Sequence, residues 1–281
     1  MKKNVFAMAI AACMAASLAA CGGADTAATT AAQTTGAQTT AAEAGETASA
    51  EETTQAEAEA AGGVLVMATN AEFAPWEYYE GGDIVGIDPE IAQAIADKLG
   101  MTLEIEDMAF DSIIPAVTSG KADFGAAGMT VDEDRKVFVD FTDTYANASQ
   151  VIIVKEDSEI AGSKDLSDKK IGVQLGTTGD LLATDLAGDS NVERYNKGFE
   201  AVQALLQDKI DAVVIDSAPA NVFVEQNEGL KVCSEAMSQE EYAIAVAKGN
   251  TEMLDKINGA LKELKEDGTI DAIMNKYIPA E

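Results

Sequence analysis

The chain has 281 residues, with 49 acidic against 19 basic side chains and a formal net charge of −30. A field of that sign repels nucleic-acid phosphates, so no nucleic-acid partner is expected. There is no histidine, and the only cysteines are Cys13, Cys21 and Cys233, which excludes zinc sites of the Cys/His type, Cys-His pairs and a Ser-His-Asp constellation. No metal and no cofactor is expected.

Met1-Lys2-Lys3 followed by the apolar run 5–18 has the form of an export signal and is too short to span a bilayer. Leu18-Ala19-Ala20-Cys21 resembles the bacterial lipobox, which implies removal of residues 1–20 and lipid attachment at Cys21; the alternative is ordinary cleavage leaving a free cysteine. Residues 21–62 are almost entirely Gly, Ala, Thr, Gln, Glu and Ser and contain too little to bury to offset the entropy of ordering, so they read as a disordered tether. The folded unit is then 63–281, and no apolar run beyond the first twenty residues is long enough to cross a membrane.

From Val64 onward, short apolar runs alternate with amphipathic helices, the pattern of an α/β protein with a mostly parallel, helix-covered sheet. Strands are predicted at 64–68, 102–106, 123–127, 151–154, 171–173, 211–215 and 243–247. Asp88 as N-cap, Pro89 at the first helical position, Ile91, Ala94, Ile95 and Leu99 on one face and Gly100 at the end define a helix. Further helices are predicted at 199–207, 218–225 and 251–265, the last with a stripe of Leu254, Ile257, Leu261 and Leu264.

The segment Gly128-Met129-Thr130-Val131-Asp132-Glu133-Asp134-Arg135-Lys136 follows a predicted strand and introduces a helical turn. Free backbone amides, the Thr130 hydroxyl and the forked Arg135 guanidinium suit a carboxylate, although Arg135 also reads as the partner of a nearby surface aspartate. Asp216, before Ser217-Ala218-Pro219, reads as a helix N-cap or as an acid facing a cation. Cys233 stands alone in the body and reads as a buried, inert thiol.

These segments, with Phe73-Ala74-Pro75-Trp76-Glu77-Tyr78, Gly86-Ile87-Asp88, Phe110-Asp111-Ser112-Ile113-Ile114-Pro115-Ala116, Asp140-Phe141-Thr142, Gly172-Val173-Gln174-Leu175-Gly176-Thr177-Thr178 and Asp211-Ala212-Val213-Val214-Ile215-Asp216, resemble the polar amino-acid-binding family of bacterial periplasmic solute-binding proteins. The resemblance implies a type II fold of two lobes joined by two crossover strands: lobe one at 64–145 and 242–281, lobe two at 149–238, crossings near 146–148 and 239–241. It implies a monomer that binds a free amino acid, delivers it to an ABC permease, and stays at the outer face of the cell membrane through its lipid.

By the same resemblance, Gly128, Thr130 and Arg135 hold the α-carboxylate with Thr178 across the cleft, Asp216 accepts the α-ammonium, and Phe73 and Phe110 wall the side chain. Trp76 either joins that wall or packs beneath the loop. Asn70 stands where several members carry an acid and Gln174 where a basic or polar residue tunes selection, which favours a neutral polar or small ligand, with Glu72 as a nearby source of charge. The competing readings are a ligand sensor for a receptor and an enzyme such as a dehydratase on the same fold.

Overall fold

The computed structural model describes residues 62–278. The predicted signal, Cys21 and all but the last residue of the tether lie outside the described residues.

Lobe one begins with β1 (Val64–Thr69) and a small antiparallel meander, β2 (Glu72–Phe73), β3 (Glu77–Glu80) and β4 (Asp83–Val85). It continues through α1 (Ile87–Leu99), β5 (Thr102–Asp107), α2 (Ile113–Thr118), β6 (Phe124–Gly125) and β7 (Val139–Phe141). After β8 (Ala146–Ala148) the chain builds lobe two from β9 (Gln150–Lys155), β10 (Ile171–Gln174), α3 (Thr178–Ala187), β11 (Val192–Tyr195), α4 (Gly198–Leu206), β12 (Ala212–Asp216), α5 (Ser217–Gln226) and β13 (Leu230–Val232). It returns by β14 (Glu240–Tyr242) to β15 (Ala245–Ala247), α6 (Thr251–Glu266) and α7 (Thr269–Tyr277).

The lobe-one sheet has the order β5-β1-β6-β15-β7 and the lobe-two sheet β11-β10-β12-β9-β13. Each is mixed rather than mostly parallel. β1 runs parallel to β5 and β6, while the returning β15 enters antiparallel to β6 and β7; β9 is antiparallel to β12 and β13. The crossover strands pair with each other, Ala146 opposite Tyr242 and Ala148 opposite Glu240, so one antiparallel ladder joins the lobes.

The apolar stripe of α1 is seated as its spacing predicts: Ile91 and Ile95 are buried with Ile87 against Leu65 and Met67 of β1. Each such side chain contributes about 1.5–3 kcal/mol relative to exposure. The stripe of α6 is buried at Ile257, Leu261 and Leu264, and Cys233 is a buried free thiol.

Asp88 departs from the predicted role. The helix starts two residues earlier, with Gly86 at the N-cap position, where φ is +131° and a Cβ would stand 2.2 Å from the Trp76 carbonyl oxygen. Asp88 is instead buried, taking the Gly128 N–H at 2.6 Å and the Tyr145 hydroxyl at 2.7 Å. Tertiary donors outcompete the local cap because they satisfy an acid that the packing of α1 takes out of water. Strands β6 and β15 are also shorter than expected, and α2, α3 and α7 form where no helix was predicted.

Candidate functional site

The carboxyl ends of β1, β6, β10 and β12 meet between the lobes, the position where open α/β sheets present loops and free backbone groups. A small cavity there contains about 290 Å³ of empty space, its mouth included. Its walls come from Asn70 just past β1, Phe73 of β2, Ala127, Gly128 and Thr130 past β6, Gln174 at the end of β10, Thr177 and Thr178 at the start of α3, and Asp216 at the end of β12. Phe110, Arg135 and Glu77 complete it. All nine residues singled out from the sequence thus line one cavity, although they span positions 70 to 216.

Arg135 sits in a single 3-10 turn. Its Nη1 donates to the Thr130 carbonyl at 2.8 Å and its Nη2 to the Gly176 carbonyl of the opposite lobe at 3.1 Å, with Cζ 5.3 Å from the centre of the Phe110 ring. Two of five N–H groups are therefore spent on backbone, and the rest of the fork remains for a ligand. Burial lowers the pKa of this guanidinium, so the charge is poorly solvated and strongly attractive to an anion.

Gly128 is required where it stands. Its φ is +52°, and a Cβ would lie 3.1 Å from Cε1 of Phe73 and 3.2 Å from Cε2 of Tyr242. Its N–H is taken by Asp88 at 2.6 Å and is not free for a ligand. Burial pushes the Asp88 carboxyl up to about 6 against the pull of Gly128, Tyr145 and Glu77.

Asp216 occupies the N-cap position of α5 but makes no capping bond. It accepts instead a short hydrogen bond from the Tyr242 hydroxyl, a residue of the crossover strand. Burial raises its pKa to about 6; the Tyr242 bond, Gln150 and the charge of Arg135 pull it down, and Glu240 pushes it up.

Asn70 donates to the Met108 carbonyl at 2.7 Å, and its Oδ1 accepts from Gln174 Nε2 across the cleft at 2.9 Å. Glu72 faces Lys197 of the other lobe in an ion pair. Trp76 takes the packing role: it is buried in the core, edge-on to Tyr242 with centroids 4.8 Å apart, and does not line the cavity.

Two residues escaped sequence reasoning. Glu77 lines the cavity and is 1% exposed; no donor reaches its carboxyl oxygens, and in the protonated form favoured by burial it donates to Asp88. Burial raises its pKa well above the usual carboxylate range, helped by the charges of Asp88, Asp216 and Asp107. Glu240, on the crossover strand, bonds to Thr130 and Thr178 from opposite lobes. Its only sequence signal was position: it falls within the segment expected to cross.

The arrangement places one cation, Arg135, opposite a group of acids, Asp216, Glu240 and Glu77, around a small cavity with an aromatic wall. That pattern is complementary to a zwitterion whose side chain carries hydrogen-bond donors.

The model of the bacterial extracellular solute-binding proteins, family 3, matches residues 65–280. The chain is 36% identical to the arginine-binding extracellular protein ArtP of Bacillus subtilis over 77% of this chain and 87% of that one. It is 34% identical to a probable histidine-binding protein of Neisseria gonorrhoeae, covering 80% and 87%. Among solved structures, an ancestral arginine-binding protein bound to glutamine aligns with a TM-score of 0.74 and 45% identity over 77% of this chain and 98% of that one. A mutant of ArgBP from T. maritima aligns with a TM-score of 0.74 and 41% identity, covering 77% and 96%.

Proposed function

Because the chain belongs to the bacterial extracellular solute-binding proteins of family 3, whose members are binding proteins rather than enzymes, we propose that it captures a free amino acid of the arginine class and delivers it to an ABC-type importer. The observation that carries the ligand class is Glu77, a buried acid lining the cavity whose oxygens receive no hydrogen bond. A guanidinium or another donor-rich tail would supply the donors those oxygens lack and favour their ionised form on binding. This favours a cationic ligand over the neutral one that Asn70 suggests, and it accords with arginine and histidine in the names of relatives.

In this reading Arg135 grips the α-carboxylate through the free part of its fork. Asp216 and the Gly128 carbonyl receive the α-ammonium, Phe73 and Phe110 flank the aliphatic stem, and Asn70, Gln174 and Glu77 meet the tail. Ligand groups with partners on both lobes favour the closed form, in which Gln174 reaches Asn70 and Arg135 reaches Gly176. Lipid attachment at Cys21 holds the protein at the outer face of the membrane as a monomer, near the permease, and raises its effective concentration there. Replacing Cys21 by Ser then moves the protein from the membrane to the soluble extracytoplasmic fraction.

The test is thermal-shift screening of the full chain against L-arginine, L-lysine, L-histidine, L-glutamine and L-cystine. A ligand at 100 times its Kd adds about 2.7 kcal/mol of stability. Stabilisation by L-arginine supports the reading. Stabilisation by L-glutamine alone refutes the cationic class, and no stabilisation by any amino acid refutes amino-acid capture.

A further inference from the structure

Glu240 is half-buried on β14, the strand that carries the chain from lobe two back to lobe one. Its Oε2 accepts the Thr130 hydroxyl of lobe one at 2.6 Å, the Thr178 hydroxyl of lobe two at 2.9 Å and Gln150 Nε2 at 3.3 Å. Its Oε1 accepts the Ser238 hydroxyl at 2.8 Å. Gln150 Nε2 also donates to the Thr178 hydroxyl oxygen at 3.1 Å. Both cavity-lining hydroxyls are thus tied to one carboxylate oxygen that belongs to neither lobe's sheet.

A hydroxyl has one proton and two lone pairs. Once the protons of Thr130 and Thr178 are given to a carboxylate, which only accepts, those oxygens present only lone pairs to the cavity. The 2.6 Å separation at Thr130 is in the range of a charge-assisted O–H···O⁻ bond, the kind least readily surrendered to a competing acceptor. A ligand carboxylate that recruited either hydroxyl would also strip a donor from Glu240.

We propose that Glu240 is a positioning residue of the binding site, which orients the hydroxyls of Thr130 and Thr178 as acceptors for the ligand's α-ammonium and leaves the α-carboxylate to Arg135 and backbone amides. The inference rests on the amino-acid reading above and reassigns the two threonine hydroxyls from the anion to the cation. Asp216 belongs to the same acceptor set: the charge of Glu240 acts on it, and Tyr242, two residues beyond Glu240 on the same strand, donates to it. Because Glu240 reaches one threonine on each lobe, the acceptor set is complete only when the lobes are together.

The test is isothermal titration of the full chain at pH 7.5 with three probes: L-arginine, agmatine, which lacks the carboxylate, and 5-guanidinopentanoic acid, which lacks the ammonium. E240Q removes the negative charge and one of the two acceptor oxygens, so the hold on the threonine protons weakens and the hydroxyls are no longer fixed as acceptors. The expected result is about a tenfold or greater loss of affinity for L-arginine and agmatine, with 5-guanidinopentanoic acid held within about twofold. Thr178→Val, which removes one hydroxyl at nearly constant shape, is expected to show the same pattern in smaller measure and carries the test should E240Q fail to fold. Equal loss for all three probes marks Glu240 as merely structural and overturns the inference, as does unchanged L-arginine affinity. A wild-type chain that binds none of the three overturns the arginine-class reading on which the inference rests.

Discussion

Removing the Arg135 guanidinium is expected to abolish capture, and the structure sets the scale of the loss. Two of its N–H groups hold the carbonyls of Thr130 and Gly176, which leaves enough of the fork for two hydrogen bonds to a carboxylate. Charge-assisted bonds contribute about 1.5–3 kcal/mol each, so Arg135→Ala should cost about 3–6 kcal/mol of binding free energy. That corresponds to a loss of at least about a hundredfold in affinity. Arg135→Lys keeps the charge without the fork and should lose only about tenfold. Isothermal titration with L-arginine at pH 7.5 measures both, with unliganded melting curves as a control that the lobes still fold. Since the side chain is half-buried and its backbone partners can turn to water, the unliganded melting temperature should change little. An Arg135→Ala protein that binds within about tenfold of wild type would refute the claim that the carboxylate is held by this guanidinium.

Glu77→Gln should weaken L-arginine by about tenfold or more while weakening L-glutamine less, because the carboxyl, held neutral by burial, can ionise against a cationic tail whereas the amide cannot; titration with both ligands checks it. Binding should also depend on pH through Asp216, whose carboxyl lies at about 6 in the unliganded protein and must be ionised to receive an ammonium. Affinity for L-arginine should therefore fall by about tenfold between pH 7 and pH 5, and Asp216→Asn should flatten that part of the profile along with lowering affinity. The effect on the unliganded fold has the opposite sign. A carboxyl whose pKa is raised by folding contributes stability that is full below its unfolded value near 3.8 and is lost as pH rises through about 6, so the melting temperature without ligand should drop across that window through Asp216 and Asp88 alike. Gly128→Ala forces a side chain into φ +52° between Phe73 and Tyr242, which should cost about 1–3 kcal/mol in a thermal melt and narrow the cavity mouth enough to weaken binding.

The residues that converge on the cavity were legible because each stands in a run with local punctuation. Gly128 and Thr130 follow a strand, Thr178 opens a helix and Asp216 closes a strand, so the family pattern could be followed residue by residue. The α1 and α6 stripes were legible for the same reason, since helical periodicity is set by neighbours within four positions. The meander β2–β4 has strands of two to four residues, too short for an alternation to register, and sheet order depends on which distant strand a segment meets.

The sequence by itself determined the α/β class, the strongly anionic character and the family, and it singled out one arginine and one aspartate that line the same cavity. Only the tertiary structure decided how the remaining acids are used. Asp88 looks like a helix cap, yet it faces Gly128 and Tyr145, 40 and 57 residues away. Glu77 looks like one more charge in a polar meander, yet it is buried beside Asp88 with no donor to its oxygens. Glu240 meets Thr130 across 110 residues and Thr178 across 62. Local spacing encodes helices and caps, whereas an acid's protonation and partners are set by desolvation and by contacts that exist only once the lobes fold together, so the chemistry of the cleft is a property of the fold.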